Sequence, residues 1–301
     1  MRVFFLILLI LTINACNTSD KTVKREKKKE NNCYSDIDKL LPEDTEILLY
    51  LDMGKLKNIS VLKSYTEYFK EKYFLKNTGK FFMALTDFYN NQDFFIYSEQ
   101  LRFEGGIKYK FDNVRLVKKF ENEAGIFSFW NFNNKEGIFG KFFLIDGILN
   151  NCKKGITSQF YQKVKESGFY ENNSYFKLFL SFNERLKYDL SGFLKKSLFL
   201  EYIFEDLNYI LFEAELQKDN MINLTLKISK SNPVDEIFEI FNDKYKFLIT
   251  EFKKKNVEKN IFFEQFKVKK ANKNLLILSL KLKVAQLGNL LKLIKLFTIN
   301  Q

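Results

Sequence analysis

Three cysteines, two clusters of carboxylates and five groups of lysines are the residues of this 301-residue sequence whose types and spacing could do chemistry. Histidine is absent. Without an imidazole, Ser-His-Asp and Cys-His catalysis are excluded, and so are His-ligated zinc and haem sites. A pH switch built on imidazole is excluded with them. What survives is carboxylate acid–base work, a Ser-Lys pair or an oxygen-ligated cation.

Each remaining cluster has a plain structural reading beside the chemical one. Glu43, Asp44 and Glu46 could hold a cation, but they adjoin a turn and lack the spacing of a calcium loop, which favours solvated caps. Asp235, Glu236 and Glu239 have the spacing of charges on a helix face. Gly137-Ile138-Phe139-Gly140-Lys141 lacks the first glycine and the final Ser or Thr of a phosphate loop, and it falls in a strand pattern. Lys118-Lys119, Lys153-Lys154, Lys195-Lys196, Lys253 to Lys255 and Lys267 to Lys270 could combine into an anion-binding face; separate solvated lysines are the commoner outcome. Trp130 with Phe127, Phe129 and Phe132 could line a groove, although alternation puts Phe127 and Phe129 on one face, as core packing would. No residue is assigned as catalytic, cofactor-binding or metal-binding, and no cofactor is expected.

The N-terminus carries an address. Met1-Arg2 is followed by an apolar run from Val3 to Ile13 and then by Ile13-Asn14-Ala15-Cys16. A charged start, a short apolar run and a small residue are the order of a secretory signal. The run is too short for a mature membrane span, which needs about 20 apolar residues. Ile13, Ala15 and Cys16 make it resemble a bacterial lipoprotein signal, with Asn14 the departure from the strict pattern. The resemblance implies cleavage of residues 1–15 and lipid on the sulfur and amine of Cys16. The alternative is an ordinary secretory signal in which Cys16 is incidental. Cys33 and Cys152 are then an even pair outside the cytoplasm, open either to a disulfide or to two free thiols.

Residues 16–40 form a tether. Asn17 to Asn32 reads NTSDKTVKREKKKENN, with six basic and three acidic residues. Such a segment buries too little to offset the cost of ordering. Lys21 to Lys29 could rest on anionic headgroups. The whole sequence carries a formal charge of +12, which favours acidic surfaces such as anionic lipid, sulfated polysaccharide or acidic protein. Nucleic acid is not an expected partner outside the cytoplasm. The 35 phenylalanines are discounted as a ligand signal, because Phe, Lys, Asn and Ile all have A/T-rich codons.

The elements that must position any site follow from periodicity. Ile47 to Leu51, Phe94 to Tyr97, Gly106 to Phe111, Ile126 to Trp130, Ile138 to Ile145 and Tyr175 to Phe182 read as strands. Leu56 to Tyr73 has helical spacing, Val114, Val117 and Phe120 suggest a short helix, and Leu186 to Leu194 suggests another. Ile210 to Leu216, a turn at Lys218 to Asn220 and Ile222 to Ile228 form the clearest hairpin. A helix follows, with Pro233 at its first position after a Ser231 or Asn232 cap, Asp235 and Glu236 at its positive end and Lys253 to Lys255 at its negative end. Phe266 and Val268, a turn at Ala271 to Asn274 and Leu276 to Leu282 form a second hairpin, and Leu287 to Ile294 a terminal helix.

The expected fold class is α+β: antiparallel sheets with helices packed on one face, arranged as two tandem β-α-β-β-α-β-β-α halves at residues 41–170 and 171–301. Leu41-Pro42-Glu43-Asp44-Thr45, the strand after it and Asp52 resemble the start of an uncharacterised family of bacterial envelope proteins, in which a Pro-x-Asp-Thr stretch introduces a strand ending in Asp. The order helix, strand, turn, Leu-rich strand and Leu-rich helix at the end is similar too. That family has no agreed activity, so the resemblance implies no chemistry. Composition and signal together resemble the lipoproteins of Borrelia-type spirochaetes. The expected function is a non-enzymatic, membrane-anchored envelope lipoprotein that binds an envelope or host macromolecule or serves structurally. The alternative is a carrier or sensor of an apolar or lipid ligand held between helices and sheet.

Overall fold

The structure is a computed structural model that describes residues 41–56, 80–86, 94–98, 107–111, 115–121, 127–131, 137–154, 157–171, 174–188, 204, 206–217, 221–243 and 266–283. Its strands are β1 (Ile47–Asp52), β2 (Lys80–Leu85), β3 (Phe94–Ser98), β4 (Ile107–Phe111), β5 (Arg115–Glu121), β6 (Phe127–Asn131), β7 (Gly137–Lys141), β8 (Phe176–Ser181), β9 (Leu207–Gln217), β10 (Met221–Lys230), β11 (Phe266–Asn272) and β12 (Leu275–Lys283). The helices with full bounds are α1 (Met53–Leu56), α2 (Phe142–Lys154) and α3 (Gln159–Glu166). Residues 184–188 and 235–243 are also helical.

All twelve strands among the described residues join one sheet in the order β11-β12-β10-β9-β8-β1-β2-β3-β7-β6-β5-β4, with every neighbouring pair antiparallel. The α+β antiparallel class is therefore the one expected, realised as one continuous sheet. The seam between the two stretches expected as halves is the β1–β8 pair, with Ile47 opposite Leu180 and Leu51 opposite Phe176. Outward from that seam, β8-β9-β10-β12-β11 has the same order as β1-β2-β3-β7-β6. Each half is a three-stranded meander whose third strand pairs with the last strand of a later hairpin. β4 and β5 extend the first half, at the place in chain order where the second half has the helix at 235–243.

The seam strands are buried because both faces of the sheet are covered there. Every residue of β8, Phe-Lys-Leu-Phe-Leu-Ser, is buried. On one face Ile47, Leu51, Phe81, Phe176, Leu178, Leu180, Phe212 and the even-numbered leucines of β12 form a core with Leu186, Val234 and Ile237. On the other face Leu48, Ala84, Ile138, Phe179 and Leu211 pack against Ile145, Ile148 and Leu149 of α2 and Phe160 and Val164 of α3. In the outer part of the second half, β10 to β12 keep the alternation of a half-covered sheet: Leu276, Leu278 and Leu282 are buried, while Lys281 and Lys283 are exposed.

Three expectations need correction. Residues 115–121 are strand β5 and not a helix: pairing with β4 on one side and β6 on the other overrides the three-residue spacing of Val117 and Phe120. The strand expected over Ile138 to Ile145 ends at Lys141, and Phe142 starts α2. Leu144, Ile145, Ile148 and Leu149 recur at helical spacing and are all buried, so core packing selects the helix. Pro233 is not at a first helical position. The Val234 carbonyl accepts the first helical bond, from Phe238 N–H at 2.9 Å, which puts the proline before the cap. The remainder of the Leu56–Tyr73, Leu186–Leu194 and Leu287–Ile294 helices lies outside the described residues.

The second hairpin is tied down at its turn. Asn274 Nδ2 donates to Lys230 O at 3.1 Å and to Ser231 O at 2.6 Å, and Val234 N–H donates to Lys273 O at 2.9 Å. One amide side chain therefore holds two backbone carbonyls of the link between β10 and the helix at 235–243. Asn274→Ala is expected to lower stability by about 1–2 kcal/mol, measured by urea denaturation, since both carbonyls lose a protein donor.

Candidate functional site

The structure brings charged residues together under α3, where β8, β9 and β10 lie side by side. Lys177 on β8 stands opposite Glu213 on β9, and Glu213 in turn stands opposite Thr225 on β10, two residues before Lys227. Lys177 is 4% exposed and Glu213 3% exposed. Lys227 Nζ lies 3.2 Å from Glu213 Oε2 and donates to Ser167 O at 3.2 Å. Lys177 Nζ donates to Phe169 O and sits 5.3 Å from the Phe169 ring centroid and 5.8 Å from that of Tyr50.

The last turn of α3 supplies what these ammonium groups bind. Ser158 caps its start by accepting from Tyr161 N–H at 3.1 Å. Gly168 ends it at φ +78, a left-handed conformation that favours glycine. A Cβ there would lie 3.0 Å from Glu171 Oε2 and 3.2 Å from Lys227 Nζ. The carbonyls of Ser167 and Phe169, just past the negative end of the helix, thus face two cations rising from the sheet. Nearer the start, Lys163 Nζ donates to Ser181 Oγ at 2.9 Å. Phe160 packs edge-on against Phe179 at 5.7 Å. These contacts fasten α3 to the sheet.

Burial sets the titration of the cluster. Desolvation pushes the Lys177 amine down to about 8, outweighing the attraction of Glu213, with Lys227 and Lys55 pushing the same way as burial and Glu171 opposing it. Lys163 is lowered by burial and then by Lys187. A lysine lowered this far has the basicity of an amine nucleophile, but Lys177 is enclosed by Phe169, Tyr50 and the sheet. The arrangement is suited to docking a helix rather than to turnover.

Most of the residues singled out in the sequence do not converge. Glu43 and Asp44 are exposed in their turn, while Glu46 is fully buried, with Oε1 3.7 Å from Arg185 Nε, so the three do not form a cation site. Among the described residues no group of three metal-ligating side chains comes together. Asp235 is paired with Lys270, whose hydrogen bond holds its carboxyl below the usual value; Glu236 and Glu239 are exposed. Phe127, Phe129 and Trp130 fall on β6. Gly137 to Lys141 is β7, inside the sheet and paired on both sides, as its strand pattern suggested. Cys152 falls in α2; Cys16, Cys33, Phe132, Lys195-Lys196 and Lys253 to Lys255 lie outside the described residues. Sequence reasoning singled out neither Lys177 nor Glu213. The available signal was one lysine inside an otherwise apolar strand run.

The lysines of the second hairpin do gather. Lys267 and Lys269 on β11 and Lys281 and Lys283 on β12 are exposed. All four alternate with residues that face the core side, such as Val268, Leu278 and Leu282. Among the described residues, no helix is long and apolar enough to cross a membrane.

No family model and no curated protein matches the chain. Among solved structures it is similar to crystal form I of TP0453, with 12% identity and a TM-score of 0.46 over 85% of this chain and 96% of that one. It is similar to crystal form III of TP0453 with 13% identity and a TM-score of 0.47, over 83% of this chain and 95% of that one.

Proposed function

We propose that this chain is a lipid-anchored, extracytoplasmic envelope protein whose folded body binds a macromolecule and carries out no catalysis. The observation that carries the reading is the run from Val3 to Ile13 followed by Ile13-Asn14-Ala15-Cys16, with a polar, lysine-rich stretch between that cysteine and the first described strand. The buried charges support it, because Lys177, Glu213 and Lys227 are engaged in holding α3.

Growing cells on a radioactive fatty acid tests the anchor. The protein is expected to carry the label and to sediment with membranes. Cys16→Ser is expected to lose the label and to release most of the protein from the membrane fraction at high salt. A parent protein without label would sink the proposal.

A further inference from the structure

We infer that the outward face of the β11–β12 hairpin is a docking surface for anionic phospholipid headgroups, through Lys267, Lys269 and Lys281, with Lys283 at the end of the row. The inference rests on the reading that the chain is held at a membrane.

The register defines the row. Lys267 is opposite Ser279 and Lys269 opposite Ile277, so Lys281 is the diagonal neighbour of Lys267 across the strand pair. Diagonal neighbours and next-but-one residues on a strand are each about 7 Å apart. Lys269, Lys267, Lys281 and Lys283 therefore follow one another at that interval along a single face. Like charges at such spacing repel one another, and a bound anionic surface relieves that cost.

One observation sets this row apart from ordinary solvated lysines. Among the described residues, Lys267, Lys269 and Lys281 form no ion pair, whereas Lys270, on the opposite face of β11, is paired with Asp235. Edge strands are commonly charged to block pairing with other chains, and that accounts for lysines on β11. Lys281 and Lys283 carry the row past Leu280, the last β12 residue paired with β11, and among the described residues both are paired with β10 alone. A lysine near an anionic bilayer adds about fivefold to partitioning, and an anchored body meets the headgroups at high effective concentration.

The test uses the chain secreted as Cys16→Ser, so that no acyl group contributes, in co-sedimentation with vesicles of phosphatidylcholine alone or with phosphatidylglycerol added. Binding is expected to require the anionic lipid and to weaken with salt. Lys267→Gln, Lys269→Gln and Lys281→Gln together are expected to cut binding about a hundredfold with the thermal midpoint preserved. A control with Lys80→Gln, Lys154→Gln and Lys187→Gln loses the same charge and is expected to bind much as the parent does. Equal loss in both variants, or no binding by the parent, overturns the inference. Binding to soluble heparin in preference to vesicles overturns it in favour of a polysaccharide partner. Failure here leaves the fatty-acid label unchanged, so it is read separately from failure of the anchor.

Discussion

Phe179→Ala is expected to lower the free energy of unfolding by about 3–5 kcal/mol, which is a large part of the 5–15 kcal/mol typical of a folded domain. Phe179 has no exposed surface and lies on the strand that joins the two halves. Its ring stacks on Tyr209 at 5.3 Å and meets Phe160 of α3 edge-on, and its strand neighbours Leu48 and Leu211 are fully buried. Truncation opens a void bounded by a sheet paired on both sides, which has little freedom to collapse. Urea denaturation is expected to show a lower midpoint with the slope nearly unchanged. Phe179→Leu, which keeps most of the volume, is expected to cost about 1 kcal/mol. An alanine variant less than 1 kcal/mol below the parent would mean that α3 does not depend on this contact.

The same residue shows what periodicity can disclose. Strand alternation is legible wherever polar and apolar residues take opposite faces of the sheet. Ile210 to Leu216 against Ile222 to Ile228 emerged with its register visible, because Glu213, Glu215, Asn223 and Lys227 alternate with the apolar positions. At the seam this rule fails. Phe176 to Ser181 is buried on both faces, so the sequence there marks a strand without telling which side each residue serves. α2 and β5 were misread for a related reason. Phe142 to Leu149 is a short apolar-rich run and Arg115 to Glu121 a short mixed one; the local spacing of each suits either state, and their neighbours in the sheet and core decide.

The site was legible in composition only. A lysine within Phe-Lys-Leu-Phe-Leu-Ser indicates that something must receive its charge, but the receiving group is a backbone carbonyl of Phe169, which no side-chain pattern encodes. Glu213 alternates with Phe212 and Ala214, the pattern of a residue on the solvated face of a strand. It is buried because α3 closes over that part of the sheet, a long-range event that strand period cannot announce. The lysine row on β11 and β12 needed the opposite step. Its members were visible as Lys267 to Lys270, Lys281 and Lys283, but only the hairpin register separates Lys270 from the others and joins Lys281 to them.

Stability is expected to climb with pH from about 8 towards 10 and to fall beyond it, with Lys177 a main cause of the climb. Its amine is pushed down to about 8 in the folded protein and returns to 10.5 when unfolded. Between those values the unfolded chain holds a proton that the folded chain has lost, so unfolding takes up protons and stability rises with pH. Lys163, lowered by burial, contributes in the same direction. Tyr175, fully buried and with its hydroxyl unpartnered among the described residues, is pushed above its usual 10.0, and Tyr209 is raised as well. Above pH 10 the unfolded chain loses phenolic protons that the folded chain keeps, and stability falls. Lys177→Met keeps the stem packed against Phe169 and Tyr50 but removes the titrating group. Urea denaturation at pH 7 to 11 is therefore expected to show a shallower climb in that variant and an unchanged decline above pH 10. Tyr175→Phe is expected to do the reverse, keeping the climb and softening the decline. A parent profile flat between pH 8 and 10, or a climb of equal steepness in Lys177→Met, would show that the ammonium under α3 keeps its proton in the folded state. Glu213 would then have to outweigh the cost of burial.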